Sequence, residues 1–249
     1  MKEWIWGRNP VFEALKAKRR EFYELRIAKG TQEEDRLAEI LHLAKSNSLP
    51  VTQVSRESLA SLGGNHQGVA LQVNAYPYVD FQQILENAKI SGDPLLVLLL
   101  DTLKDPQNLG TLIRTAEAVG VHGIILPLRR TATITPAVVS SSSGASEHML
   151  ITQANLAQTL TQLKENGAWV VGLEGGEGSQ TPDQVDLSGP LAVVVGSEAE
   201  GMRHLVQSSC DFLLALPMKG KVDSLNAAVA GSVALYLIWQ ARGFQRPSS

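Results

Sequence analysis

Short apolar runs of strand length alternate with stretches whose apolar residues recur every three or four positions, and this alternation is interrupted once, between Tyr76 and Pro94. Before the interruption, Asn9-Pro10 reads as a cap and a favoured first helical residue, and Val11, Leu15 and the basic cluster Lys16 to Arg20 continue it as a short helix. Glu24 to Ala28 predicts a strand. Thr31-Gln32-Glu33-Glu34 has the form of a capping box, with Leu37, Ile40, Leu41 and Ala44 at helical spacing behind it and Leu49-Pro50 as the stop. A strand over Val51 to Val54, a helix over Arg56 to Leu62 and a strand over Val69 to Val73 complete a βαβ-like domain. Tyr76-Pro77, a helix near Phe81 to Lys89 and the turn-rich Ser91-Gly92-Asp93-Pro94 mark the boundary. The expected domains are 1–78 and 94–249, with 79–93 as a linker.

The second alternation comprises strands over 95–100, 123–126, 168–173 and 191–195 and helices over 108–119, 135–143 and 155–166. Short buried strands separated by helices predict a parallel sheet covered on both faces. The last helix, 226–240, is apolar almost all round (Ala227, Val229, Val233, Leu235, Leu237, Ile238), so it calls for burial inside the fold or against a second copy of the chain.

Composition narrows the class of protein. Hydrophobic residues are 44% and charged residues 19% of 249, as in a globular chain that folds unaided. Cys210 is the one cysteine, which excludes an intrachain disulfide and a thiolate zinc cluster and fits a reducing, cytoplasmic setting. The longest clean apolar run, Leu95 to Leu100, is far short of a membrane span, and Met1-Lys2-Glu3-Trp4-Ile5-Trp6 lacks the apolar core of a signal peptide, so no membrane association is expected. The five histidines are dispersed without paired ligand spacing, so no metal is expected. Net charge is −3, but residues 1–78 carry 11 Lys and Arg against 9 Asp and Glu, and the remainder 11 against 16. Any RNA footprint would lean on the N-terminal part, although chance explains so small an asymmetry equally well.

Common nucleotide and hydrolase signatures are missing. Gly172 to Gly178 does not satisfy G-x-G-x-x-G and reads as a surface loop, and Gly144-Ala145-Ser146-Glu147-His148 is not a nucleophile elbow. What remains is three polar segments at the carboxyl ends of predicted strands, where open α/β sheets place ligands. Asp101 to Gly110 leads into a helix carrying Arg114; Asn108 is placed to cap it, and Arg114 lies one turn beyond Gly110. From this segment alone, a surface pair with Glu117 accounts for Arg114 somewhat better than a ligand contact does. Val193 to Met202 runs from a buried strand into a loop bounded by Gly196 and Gly201, with Glu198 facing the cleft. Leu214 to Asn226 passes Leu216, Met218 and Gly220 and reaches Ser224, Leu225 and Asn226 just before the apolar helix, where capping alone would explain Ser224 and Asn226.

The order and wording of these segments resemble the three motifs of the SpoU (TrmH) branch of the SPOUT RNA methyltransferases. Asn108, Gly110 and Arg114 match N-x-G-x-x-x-R; Gly196, Glu198 and Gly201 match G-x-E-x-x-G; Leu216-Pro217-Met218, Gly220 and Ser224-Leu225-Asn226 match [IL]-P-M-x-G…S-L-N. Ser143 to His148 also looks like a family segment. Gly7 to Leu15 and His66-Gln67-Gly68-Val69 look like the small N-terminal RNA-binding domain of the subgroup that methylates a guanosine ribose in large-subunit (23S-type) ribosomal RNA, a domain similar to a ribosomal-protein fold. One departure is that relatives often carry a lysine where Val139 to Ser142 stand here.

The resemblance implies an α/β fold: a C-terminal parallel-sheet domain with a deep trefoil knot, preceded by the small α/β RNA-binding domain. It implies S-adenosylmethionine as cofactor, held by Gly196, Gly201, Leu216, Met218 and Leu225, and transfer of its methyl group to a ribose 2′-hydroxyl. Arg114, with Asn108, Glu198, Ser224 and Asn226, would form the catalytic set. Arg8, Lys18, Arg19 and Arg20 would meet RNA phosphates, and the last helix would join two copies in a homodimer. A transfer-RNA target, and a non-catalytic RNA-binding or ribosome-assembly protein on the same fold, are the alternatives; a small-molecule enzyme lacks its phosphate loop here.

Overall fold

The computed structural model describes residues 2–32, 35–197, 200–222 and 224–244, and the chain divides into two compact units. In the first, β1 (Lys2–Trp6), α1 (Arg8–Ala17), β2 (Phe22–Ala28), α2 (Asp35–Ser46), β3 (Val51–Val54), α3 (Arg56–Ala60) and β4 (Val69–Asn74) build a four-stranded sheet of order β1-β4-β2-β3. The expected β2-α2-β3 crossover is present as a parallel pair, whereas β4 runs antiparallel to both neighbours, with Ile5 opposite Leu71 and Leu25 opposite Leu71 on its other side. β1 is an addition to the expected elements: the tryptophans that obscure its alternation, Trp4 and Trp6, pack on Ala28, Leu59 and Ala70. The helix after it starts at Arg8 rather than Pro10, because Gly7 takes the cap position at φ 96° and the Gln67 side chain accepts from Arg8 N–H at 2.9 Å.

The second unit holds α4 (Phe81–Ser91), β5 (Leu96–Leu100), α5 (Pro106–Ala118), β6 (Gly123–Pro127), β7 (Ile151–Ala154), α7 (Leu156–Glu165), β8 (Trp169–Leu173), β9 (Leu191–Val195), α8 (His204–Gln207), β10 (Phe212–Leu214) and α9 (Ala227–Ala241). Its six strands are all parallel, in the order β10-β8-β9-β5-β6-β7. Every residue of β5, β6 and β9 is buried, as a sheet covered on both faces requires. One face packs Val97, Leu99, Val170 and Val194 against Leu160 and Leu163 of α7 and Ile84 of α4. On the other, α9 meets α5 closely enough that a Cβ at Gly231 would fall 2.6 Å from Leu112 and 3.2 Å from Val195. β7 and β10 go beyond the sequence expectation; with four and three residues they are too short to display a period.

Two boundaries differ from expectation. Residues 79–93, expected as a linker with a helix near Phe81 to Lys89, carry that helix as α4, but its Ile84 and Leu85 belong to the core of the second unit. Its start is a full capping box, with Asp80 and Gln83 exchanging side-chain and backbone bonds. Residues 133–148 group with the first unit, although they follow β6 in sequence. There α6 (Pro136–Ser141) and the 3₁₀ turn Ala145–Glu147 are fastened by the buried pair of Arg20 with Glu147 and by the Tyr76 hydroxyl, which donates to Ser146 O at 2.9 Å.

Candidate functional site

In a parallel sheet every strand ends on the same edge, so loops far apart in sequence converge there. The order β8-β9-β5 places the ends Leu173, Val195 and Leu100 side by side, with β10 beyond β8. The chain crosses from β7 at one edge to β8 on the far side of β5, and β9 fills the place between them. The β5–β9 junction is therefore the point at which strand order reverses.

Asp101, directly after β5, is fully buried and anchors that junction. Its N–H donates to Val195 O at 2.8 Å, while its carboxylate accepts from Arg203 N, at 2.8 Å, and from the Arg203 guanidinium, at 2.8 and 2.7 Å. Thr102 beside it is held at φ 58°, costly for a β-branched residue, with its hydroxyl buried and without a partner among the described residues. The loop after β9 folds back on itself: Ser197 and Gly201 exchange both backbone bonds, at 3.1 and 2.9 Å. A Cβ at Gly196 would collide with the Gly201 backbone and fall 2.5 Å from Met202 N, so this tight return demands glycine. Gly201 itself stands at φ 63°.

Beside this loop lies a cavity of about 430 Å³, within the usual size of small-molecule sites. Its walls come from the ends of β8 (Leu173 to Gly175), of β9 (Val195 to Ser197) and of β10 (Leu214, Leu216, Met218) and from the entry to α9. All five residues expected to hold the cofactor line it: Gly196, Gly201, Leu216, Met218 and Leu225. Ser224 and Asn226 of the expected catalytic set line it as well. Asn108 and Arg114 do not. Glu198 lies outside the described residues.

Asn108 is tied to the cavity through a partner. The cap of α5 is Asp105, which accepts from Gln107 N at 3.0 Å, with Pro106 as the first helical residue, so Asn108 is not the cap expected from sequence. Instead its Oδ1 accepts from Asn226 Nδ2 at 3.1 Å. Asn226 does two jobs, since its own Oδ1 caps α9 by accepting from Ala228 N and Val229 N at 3.0 and 3.1 Å. Arg114 stands on the exposed side of α5, beyond buried Gly110. Glu174, which sequence reasoning passed over as loop, is in the cavity wall: Gln207 Nε2 donates to its Oε1 at 3.0 Å, and its Oε2 is buried with no partner among the described residues.

In the first unit the expected phosphate contacts separate. Lys18 is exposed at the left-handed end of α1. Arg19 is half-buried and donates to Pro77 O and Glu147 O at 3.3 and 3.4 Å. Arg20 is corrected: only 5% exposed, it gives both Nε and Nη2 to Glu147 at 2.8 Å, with Nη1 on Asn74 O and Glu3, so no phosphate reaches it. Burial lowers its pKa, yet the two carboxylates outweigh that and hold it above its ordinary value. Arg8 instead borders an open polar cleft of about 810 Å³ together with Arg36, Arg56 and His66. This cleft is larger than the cavity at the sheet edge, but it lacks apolar walls and suits an extended anionic chain rather than an enclosed ligand.

Among the described residues no group of His, Cys, Asp and Glu is arranged to hold a metal, and no helix is long and apolar enough to cross a membrane. Residues 95–236 match the model of the SpoU rRNA Methylase family, and residues 4–79 match that of the RNA 2'-O ribose methyltransferase substrate-binding domain. A TrmH family tRNA/rRNA methyltransferase of Bacillus subtilis is 41% identical over 244 residues, covering 96% of both chains. A relative of the same description in Staphylococcus aureus is 42% identical over 241 residues, again covering 96% of each. Among solved structures, the SpoU methyltransferase AviRb of Streptomyces viridochromogenes, determined with AdoMet, superposes with a TM-score of 0.81 at 21% identity, over 98% of this chain and 92% of that one. That likeness shows the SPOUT fold, and the knotted chain end of that class fits the strand order found here. With the three motif segments at one sheet edge and both family models matched in order, the chain belongs to the SpoU/TrmH family of RNA methyltransferases.

Proposed function

We propose that this chain transfers a methyl group from S-adenosylmethionine to a ribose 2′-hydroxyl, in a guanosine of large-subunit ribosomal RNA. The observation that carries the reading is the convergence of three sequence-distant sets of residues, 173–175, 195–197 with 201, and Leu214, Leu216 and Met218 with 224–227 and 230, on one cavity whose Asn226 is bonded to the helix of Arg114. The cavity fits an adenosyl group. Met218 and Leu225, 42% and 39% exposed, offer an apolar slot with Leu216, while Gly196 and Gly201 let backbone amides approach. When bound, the cofactor supplies a methyl group on a sulfonium sulfur, activated for attack by the ribose oxygen.

The chain's own residues then have to align that oxygen and lower the cost of its losing a proton. Alignment alone can supply a large part of the rate. Asn226, fixed by capping α9 and by its bond to Asn108, is a rigid part of the cavity wall, and Ser224 lines the cavity beside it. Because Arg114 lies on the outer side of α5 and not in the cavity wall, it is assigned to the substrate: its guanidinium meets phosphate and ribose and stabilises negative charge growing on the oxygen. A guanidinium holds its proton too firmly to act as a literal base. Arg114→Ala is expected to abolish transfer of a tritiated methyl group to RNA while calorimetry still registers cofactor binding; substantial turnover by that variant would disprove the assignment. Mapping ribose methylation in ribosomal and transfer RNA, with and without the gene, identifies the target.

Two further assignments support this reading. The arginine-bordered cleft of the first unit receives the RNA backbone. A homodimer forms through α9, whose Val229, Val233 and Tyr236 are 46%, 40% and 47% exposed on one face, opposite the buried Gly231, Ala234, Leu235 and Ile238.

A further inference from the structure

The least explained polar atom in the second unit is Oε2 of Glu174. Its residue directly follows β8, and its backbone N–H donates to Leu214 O at 3.1 Å, so the side chain leaves a fixed point. Gln207, on α8, donates to Oε1 and orients the carboxylate. Glu174 borders the cavity, and its Oε2 is buried with no hydrogen-bond partner among the described residues. Gly201 faces it, and a Cβ there would stand in contact with the oxygen at 3.8 Å, so the glycine keeps that side of the carboxylate uncovered by a side chain. An acceptor kept out of water and left unpaired is unfavourable, and it persists where a ligand completes it.

We propose that Glu174 holds S-adenosylmethionine by its ribose, Oε2 accepting a hydrogen bond from a ribose hydroxyl. The inference rests on the cavity being the cofactor site. Two observations select a hydroxyl over the ammonium of the methionine part. One of the two Glu174 oxygens is already taken by Gln207. A single open acceptor satisfies a hydroxyl, whereas an ammonium brings three donors. The neighbours Leu173, Leu214 and Leu216 are apolar, as suits a nucleoside rather than a zwitterion.

The test measures affinities of the full chain by calorimetry. The ligands are S-adenosylhomocysteine, 5′-methylthioadenosine, which lacks the amino acid, and the 2′-deoxy and 3′-deoxy forms of the latter. Glu174→Ala is expected to weaken the first two alike, about 10- to 100-fold, with Glu174→Gln intermediate because its amide oxygen still accepts. In the unsubstituted protein one deoxy form should lose a similar factor, and that loss should vanish in Glu174→Ala, a non-additivity that a merely structural role does not produce. Weakened S-adenosylhomocysteine with unchanged methylthioadenosine would move the contact to the amino acid part and overturn the proposal. Additive losses, or no loss, overturn it as well. Ala230→Trp, which fills the cavity, separates the two readings: if binding survives that change, the cofactor site lies elsewhere and the proposed function is at fault; if it does not, the Glu174 outcomes decide.

Discussion

Glu147→Ala is the change whose consequence is best defined by the geometry. The Arg20 side chain has no exposure and that of Glu147 has 1%, and the two are joined by parallel bonds of 2.8 Å from Nε and Nη2. Removing the carboxylate leaves a buried guanidinium with Glu3, Asn74 O and the face of Tyr76, 5.1 Å away. Breaking a buried pair from one side costs about 3–5 kcal/mol. At roughly 2–4 °C per kcal/mol for a chain of this length, the melting temperature should fall by about 6–20 °C. Urea unfolding followed by circular dichroism measures the loss, and it should be nearly unchanged between 0.1 and 0.5 M salt because the pair is out of reach of screening. The control is Arg20→Met with Glu147→Leu, which removes both charges and should recover most of the stability, since a buried pair is close to neutral against apolar residues of similar volume. A loss below about 1 kcal/mol for Glu147→Ala, or a double variant as unstable as the single one, refutes the reasoning.

Other predictions concern binding, acidity and assembly. Arg36→Gln with Arg56→Gln should weaken binding to a large-subunit ribosomal RNA transcript and flatten its salt dependence by up to about 0.9 per lost phosphate contact, leaving cofactor affinity intact; an unchanged slope in fluorescence anisotropy removes the cleft from the RNA path. His122 is buried and accepts from Leu96 N at Nδ1, and burial holds its pKa below the usual value. The unfolded chain thus takes up the proton first, so stability should be full above about pH 6.5 and decline as pH falls below it. His122→Gln should lack that decline in unfolding curves between pH 7 and 5, and an identical pH profile counts against the buried neutral ring. Val233→Lys with Tyr236→Lys should give monomers by light scattering where the unchanged chain gives dimers; monomers in both cases would exclude α9 as an interface.

Much of the fold was legible because its strands are extreme in composition. Leu96 to Leu100 and Leu191 to Val195 are purely aliphatic and wholly buried, which only a doubly covered sheet accommodates. β1 shows no clean alternation in sequence, since of Lys-Glu-Trp-Ile-Trp only Ile5 is fully buried, and its partner β4 lies 64 to 72 residues away: Lys2 opposes Asn74 and Trp6 opposes Ala70. The run Lys16 to Arg20 reads in sequence as the continuation of a helix whose Lys18, Arg19 and Arg20 meet RNA phosphates. Arg20 departs from it because its partner, Glu147, is 127 positions distant, and no local pattern encodes a pairing at that range. The same bond explains why residues 133–148 stay with the first unit despite their place in the sequence.

The site was legible in parts for a related reason. Glycines and polar residues directly after buried strands announce ligand loops, and parallel strands carry all such loops to one edge. Which loops become neighbours depends on strand order, and the order β10-β8-β9-β5 is set by crossovers that composition does not reveal. Glu174 shows the consequence: in sequence it belongs to the glycine-rich stretch after β8, 22 residues before Gly196 and outside every motif. The pairing of β8 with β9 and β10 turns that loop into a wall of the cavity. Asn226 shows the converse, for capping and site roles looked like competing explanations of one residue. Its oxygen holds the end of α9 while its nitrogen reaches Asn108, so the cap is what keeps the amide aimed at the neighbouring helix. A helix terminus is therefore an economical place for a positioning residue: the backbone amides that need an acceptor also immobilise the side chain that supplies one.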